Sequence, residues 1–339
     1  MIGDAVGGQQ DKNLDTPLQE DFRRVLAPSA SPAIADLGLR DRLKQLLRDQ
    51  LRDDVVDFLS TRPETSPIWI SRFAIADVLS CERYYIEETK IPFEYNVPRA
   101  RTHLATRLIR RSHFRDPRTA QARSWNRIED IHQFLDEVAG EDGDLAAYIA
   151  SLDSGGRADL AGEVSGVVED FSEAWPRDLN PTHVRVGYAL RQSFLNNRLK
   201  FSTRVAYKFG QPSSKSHGVQ RNVLFLDLRT GGEHESLERQ NRSLYAMLET
   251  LKSGVLPARG ATWYAADQVL RFDDFTENHA EAATRRVADA VNRVVLLEME
   301  SEPAINPGSR CRYCPVLERC AEGTRYVQSQ GNFPQRLLG

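Results

Sequence analysis

The chain has four cysteines, and three of them stand close together: Cys311, Cys314 and Cys320, spaced C-x2-C-x5-C. Thiolates at this spacing can converge on one centre, either a zinc ion or an iron–sulfur cluster. Pro307-Gly308 and Pro315 interrupt regular structure around them, so the segment reads as a loop able to fold around an ion. A fourth ligand has to come from elsewhere, and the remaining cysteine is Cys81. Spacing alone leaves zinc and 4Fe–4S both open. The bland alternative is three incidental thiols plus one buried cysteine. A site joining position 81 to positions 311–320 would clasp most of the chain, and metal affinity would become part of the folding free energy. In a chain of 339 residues four cysteines make a poor disulfide scaffold; clustered in a reducing compartment they are more often metal ligands.

The elements that must hold these residues follow from periodicity. Residues 1–36 are rich in Gly, Gln, Asp, Ser, Pro and Ala and read as a flexible arm, with room for one short helix around Leu18–Leu26. Residues 37–175 read as a helical region. Leu39, Leu43, Leu46, Leu47, Leu51 and Val55 recur at helical spacing, and a second helix is expected from Ser71 to Tyr85 with Ser71 as N-cap. Residues 128–175 are acidic and helical in flavour, broken at the Gly-rich Asp153-Ser154-Gly155-Gly156. Strands come late. His183–Tyr188 and Phe201–Tyr207 alternate, and Asn222–Leu228 is a nearly continuous apolar run typical of a central strand. Helices at Glu238–Leu251 and His279–Met299 and strands at Gly260–Ala265 and Val269–Phe272 complete an α/β core over residues 176–325, before a tail at 326–339.

Bulk properties narrow the function. The formal net charge is -3, so no global basic field announces a nucleic acid, and such a partner would need a local patch. One exists in the sequence: residues 99–127 carry Arg99, Arg101, Arg107, Arg110, Arg111 and four further arginines against Asp116 and no Glu. Charge of one sign repels itself unless something anionic neutralises it, and DNA phosphates are one candidate; a solvated face is the other. No run approaches the roughly 20 apolar residues that cross a bilayer, and no secretory signal is visible, so a cytoplasmic protein without a membrane partner is expected.

Several segments together resemble the RecB-type branch of the PD-(D/E)XK nucleases, in particular its iron–sulfur members such as AddB and the CRISPR-associated adaptation nucleases. Those place one cysteine before the nuclease core and three after it as C-x2-C-x5-C. Ser71-Arg72-Phe73 followed by Cys81-Glu82-Arg83-Tyr84-Tyr85 is similar to the family's "S-x-L…C-P-R-x-Y-Y", with Glu82 in place of the proline. Leu224–Gly231 (LFLDLRTG) resembles "V-x-x-D-Y-K-T-G", and Asn241–Tyr245 resembles "Q-x-x-x-Y". The resemblance spans about residues 70–325. It implies a restriction-endonuclease-like core with a helical N-terminal elaboration and a C-terminal Fe–S clasp through Cys81, Cys311, Cys314 and Cys320.

It also implies a divalent-metal site for Mg²⁺ or Mn²⁺. His103 matches the family's histidine and Asp227 its second carboxylate. Ala206 stands where the first aspartate belongs, Arg229 where the lysine belongs, and Asn241 where the glutamine belongs. Residues 201–226 contain no Asp or Glu, so the missing carboxylate is not a matter of register. Alanine offers a cation no oxygen, and arginine cannot accept a proton. His103, Asp227, Tyr245 and a vestigial Arg229 therefore form the expected remnant of a catalytic site. The implied function is binding of DNA, single-stranded or a duplex end, without efficient cleavage, in DNA processing, repair or defence beside a helicase or nuclease subunit. A metal-dependent exonuclease and an interaction scaffold that never touches nucleic acid are the alternatives.

Overall fold

The computed structural model describes residues 15–27, 36–114, 128–176, 179, 184–210 and 223–330. Twelve helices and six strands are placed among them, in a mixed α/β arrangement. Helix α1 (Pro17–Leu26) opens with a capping box at Thr16. Helices α2 (Leu37–Gln50) and α3 (Asp53–Thr61) precede strand β1 (Ile68–Ser71). Helices α4 (Arg72–Ser80) and α5 (Glu82–Thr89) follow without a loop. Then come α6 (Val97–His113), α7 (Ile128–Ala139), α8 (Asp144–Ser151) and α9 (Ser154–Ala174). The later half holds β2 (Arg185–Phe194), β3 (Leu199–Phe209), β4 (Leu224–Arg229), α10 (Glu235–Ser253), β5 (Arg259–Tyr264), β6 (Val269–Asp274), α11 (Glu277–Glu298) and α12 (Ala321–Ser329).

The six strands form one mixed sheet. Strand β3 is its hub. Strand β2 runs antiparallel along almost all of β3, while β1 pairs parallel with Leu199–Ser202 and β4 pairs antiparallel with Tyr207–Phe209. Strands β1 and β4 thus share one edge of β3 and leave Thr203–Ala206 between them without a strand on that side. Strand β5 extends the sheet parallel to β4, and β6 closes it antiparallel.

Each face carries its own apolar core. Leu224, Leu226, Leu228 and Trp263 face α1 and α6–α9, where Phe22, Leu104, Phe134 and Phe171 are fully buried. Val223 and Phe225 face the other way, against α2–α4, α10 and α11. The alternation within β4 is the period-two geometry of a strand, and it sends Asp227 and Arg229 to the α10 side. Burying a Leu or Phe contributes about 1.5–3 kcal/mol each, so the two cores supply the main driving force.

Several expectations change here. The helix expected over Ser71–Tyr85 is a strand end and two helices, because Cys81 is extended (φ -161°, ψ 118°) and separates α4 from α5. The break expected at 153–156 falls at Leu152–Asp153, between α8 and α9; Gly155 and Gly156 lie in the first turn of α9, where the Asp153 carboxylate accepts from the Gly156 N–H at 2.7 Å. Strand β1 lies inside the stretch read as purely helical. No helix of the described residues is long and apolar enough to cross a membrane.

Candidate functional site

The gap along β3 opens a cleft whose floor is Asp227. This carboxylate sits at the C-terminal end of β4 and is 4% exposed. Two side chains and one backbone group donate to it, and a third side chain pairs with it. The Tyr245 hydroxyl on α10 lies 2.8 Å from Oδ2, and Arg72 Nη1 and Arg229 Nη2 each lie 3.0 Å from it. The Ala206 N–H, freed by the absence of a strand beside it, reaches Oδ1 at 3.3 Å. Opposite Ala206, Gly187 of β2 adopts a left-handed φ of 57°, which interrupts β2–β3 pairing there. Burial works to raise the Asp227 carboxyl, but Arg229, Arg72, Tyr245 and the Ala206 amide outweigh it and hold it below the ordinary carboxylate range.

Arg229 does more than face Asp227. It forms a two-pronged pair with Glu238 on α10, Nε and Nη2 each 2.8 Å from a carboxylate oxygen. Asn241 donates to the same Glu238 at 3.1 Å. Arg72 Nη1 also meets the Tyr245 hydroxyl. The floor therefore contains two carboxylates and two guanidinium groups, mutually compensated. Arg72 and Glu238 had no part in the sequence expectation. Arg72 sat inside a quoted motif at an unassigned position, just after the Ser71 cap, and Glu238 lies three residues before the Asn241–Tyr245 motif.

His103 stands on α6 at the cleft mouth. Asn96 starts this helix by accepting from the Arg99 N–H at 3.1 Å, and Thr102 ties it to the end of β4 through the Thr230 hydroxyl at 2.7 Å. The Tyr95 hydroxyl is 2.9 Å from His103 Nδ1. Desolvation lowers the imidazole's pKa, and the nearby Arg107 and Arg204 lower it further. His103, Asp227, Arg229 and the backbone at Ala206 line the same cleft, with Arg72, Arg99 and Arg204.

The arginines expected to meet nucleic acid divide in two. Arg101, Arg107 and Arg111 pair with Glu163, Glu141 and Glu137 at 2.9, 2.5 and 2.8 Å. The acidic helices α7–α9 and the turn after α7 thus neutralise half of the basic helix. Arg110 is exposed on α6 and does not line the cleft. Arg99 does line it; it stacks over the Phe93 ring at 5.0 Å and donates to a backbone carbonyl, that of Glu94. Arg204, exposed on β3, has no carboxylate partner among the described residues. The arginines at 115, 118, 123 and 127, and Trp125, lie outside the described residues. Trp175 and Trp263 are buried packing residues, whereas Trp69 is half exposed under Lys200.

A second site lies at the far end of α4. Cys81, Cys311, Cys314 and Cys320 line one small cavity that is partly open to solvent. Contacts between α4–α5 and the C-terminal turns bring their segments together. Asn306 Nδ2 donates to the Ser80 carbonyl at 3.0 Å, the Ala304 N–H to Glu82 at 2.8 Å, and Arg310 pairs with Asp77 of α4. Backbone N–H groups point at sulfur: Gly308 at Cys311 and Gly323 at Cys320, both 3.4 Å. A Cβ on Gly323 would stand 3.3 and 3.5 Å from Cys320 and Cys311 Sγ, so glycine keeps that wall clear. Burial pushes the Cys314 thiol up, and Cys311, Cys320 and Cys81 push it further. Among the described residues no group of three or more His, Cys, Asp or Glu is placed to hold a single metal ion.

No family model matches the chain, and no curated protein matches it. A solved structure, the crystal structure of SSO0001, is similar over 74% of this chain and 94% of its own, at 11% identity and a TM-score of 0.29. That level is too low to carry fold detail or function across. The class the coordinates themselves define is a mixed α/β protein with a six-stranded sheet, an arginine-lined cleft and a four-cysteine cavity.

Proposed function

We propose that this chain is an iron–sulfur, PD-(D/E)XK-like protein that binds DNA and does not cleave it, working beside a helicase or nuclease. The observation that carries the loss of cleavage is Asp227. Its oxygens are taken by Arg72, Arg229 and Tyr245, and the neighbouring strand supplies Ala206 instead of a second carboxylate. A hard divalent cation needs several oxygen ligands, and here one buried carboxylate is already neutralised. The cleft still offers Arg99 and Arg204 to phosphates.

The donor set around the second cavity is the one that four-cysteine ligation of 4Fe–4S uses, and zinc shares it. Four thiols, no imidazole or carboxylate, amide N–H groups aimed at two sulfurs, and a cavity among them fit four-cysteine ligation of 4Fe–4S. Such a group would supply a structural clasp between the α4–α5 junction and the C-terminal turns.

Anaerobic purification with iron, sulfide and visible spectra, then DNA binding and Mn²⁺-supplemented cleavage assays on the same sample, test the reading. A brown protein with about four irons that binds DNA and leaves it intact is the expected result. A colourless zinc protein would overturn the cluster assignment. Mn²⁺-dependent cleavage lost in Asp227→Ala would overturn the inactive site.

A further inference from the structure

We infer that the cleft holds the phosphates of a single DNA strand without any divalent cation, because Arg72 and Arg229 occupy the place a bridging cation would take. This rests on the DNA-binding reading above and specifies how that binding works.

An acidic cleft floor repels a phosphodiester until a cation bridges the two. Here the bridge is built into the chain. Asp227 and Glu238 are matched by Arg72 and Arg229, so the floor is neutral before any ligand arrives. The guanidinium groups also keep donors in reserve. Each carries five N–H groups. All the bonds of Arg72 run through Nη1, so its Nε and Nη2 meet no acceptor among the described residues. Arg229 uses Nε and Nη2 and keeps Nη1. Both side chains reach the cleft, with 14% and 22% of their surface exposed.

Around this neutral floor the rim is positive. Arg99 and Arg204 line the cleft without a carboxylate partner among the described residues, and Arg101, though paired with Glu163, keeps a buried Nε with no acceptor. Two exposed rings complete the wall. Phe93 and Phe73 are 61% and 63% exposed, each with an arginine over its face, Arg99 at 5.0 Å and Arg72 at 4.8 Å. Exposed phenyl rings alternating with arginines match a strand whose bases are free to stack; in a duplex the base faces are already covered. An acidic peptide would use the arginines and leave the rings idle.

The test is fluorescence anisotropy of a labelled oligothymidine with the anaerobically purified full chain at low salt, in excess EDTA and again in excess Mg²⁺. Affinity in EDTA equal to or above that in Mg²⁺ is expected. Arg204→Glu and Arg99→Glu, both at exposed positions, should each weaken binding about tenfold or more and flatten its salt dependence. Phe93→Ala should weaken it about tenfold for the single strand and leave duplex binding unchanged. Unaltered melting temperatures keep these losses from being unfolding. Binding that appears only with Mg²⁺ would overturn the inference and leave DNA binding standing. An absence of binding under both conditions would overturn DNA binding itself.

Discussion

Asp227→Asn separates a carboxylate that holds the cleft floor together from one poised for a metal ion, because the two roles predict opposite signs of stability change. A metal-binding carboxylate is strained by the charges around it, and its removal tends to be neutral or stabilising. Asp227 instead accepts three hydrogen bonds, one from a guanidinium group, at 2.8 to 3.3 Å, and pairs with a second guanidinium at 3.0 Å, with its side chain 6% exposed. Glu238 would still compensate Arg229 in the variant, but Arg72 would lose its one carboxylate partner. Removing one member of a buried pair costs about 3–5 kcal/mol. In a chain this long that corresponds to a fall in melting temperature of about 4–7 °C. Differential scanning fluorimetry under anaerobic conditions reads it directly. The pH dependence supplies a second check. The folded carboxyl lies below its ordinary range, so its contribution is complete above about pH 4 and is lost as pH falls through the folded value. The wild-type advantage should shrink below about pH 4. A variant as stable as the wild type, or more so, would refute the reasoning, since Arg72 and Arg229 would then not be held where they are seen.

Cys314→Ser should lose iron and lower the melting temperature; a variant equally stable and free of iron would remove the clasp role. Lys208 and Glu249 form a buried pair, 3% and 1% exposed, so Lys208→Met should cost about 3–5 kcal/mol in urea unfolding. Adding Glu249→Leu should recover most of that loss, and a simple sum of the two single effects would contradict the pairing. Burial lowers the His113 pKa to about 4. Between that value and about 6.5 the unfolded chain binds a proton that the folded chain does not, so stability falls as pH drops through this window. The loss should amount to about 2–3 kcal/mol, and His113→Phe should abolish it.

The apolar spacing was the most legible part of the sequence. The heptad-like leucines of α2, the run that became β4 and the long helix α11 lie within a few residues of where periodicity put them. Strand β1 was hidden because four residues, Ile68–Ser71, are too few for an alternation to register, and their place beside Leu199–Ser202 is decided by tertiary packing. The basic stretch was visible, but its meaning was not. Glu137, Glu141 and Glu163 pair with it from other helices, a match suggested only by the acidic stretch that follows. Asp227 and Arg229 could be picked out from a motif. Arg72, which completes their network from 155 positions upstream, carried no signal beyond its place after Ser71.

The place of α11 in the second core bears on how the chain is made. Helices α2 and α4 bury Leu39, Leu43, Ile75 and Val78 in a core that α11 completes with Val287, Val291 and Val294. The ribosome releases α2 more than two hundred residues before α11 is finished. At about 5–20 residues per second those early apolar stripes have no permanent partner for about 10–50 s. Helices α2 and α4 stay without the native partner that covers their apolar stripes until one of the last helices arrives, whereas α1 and α6 meet α7–α9 soon after they emerge.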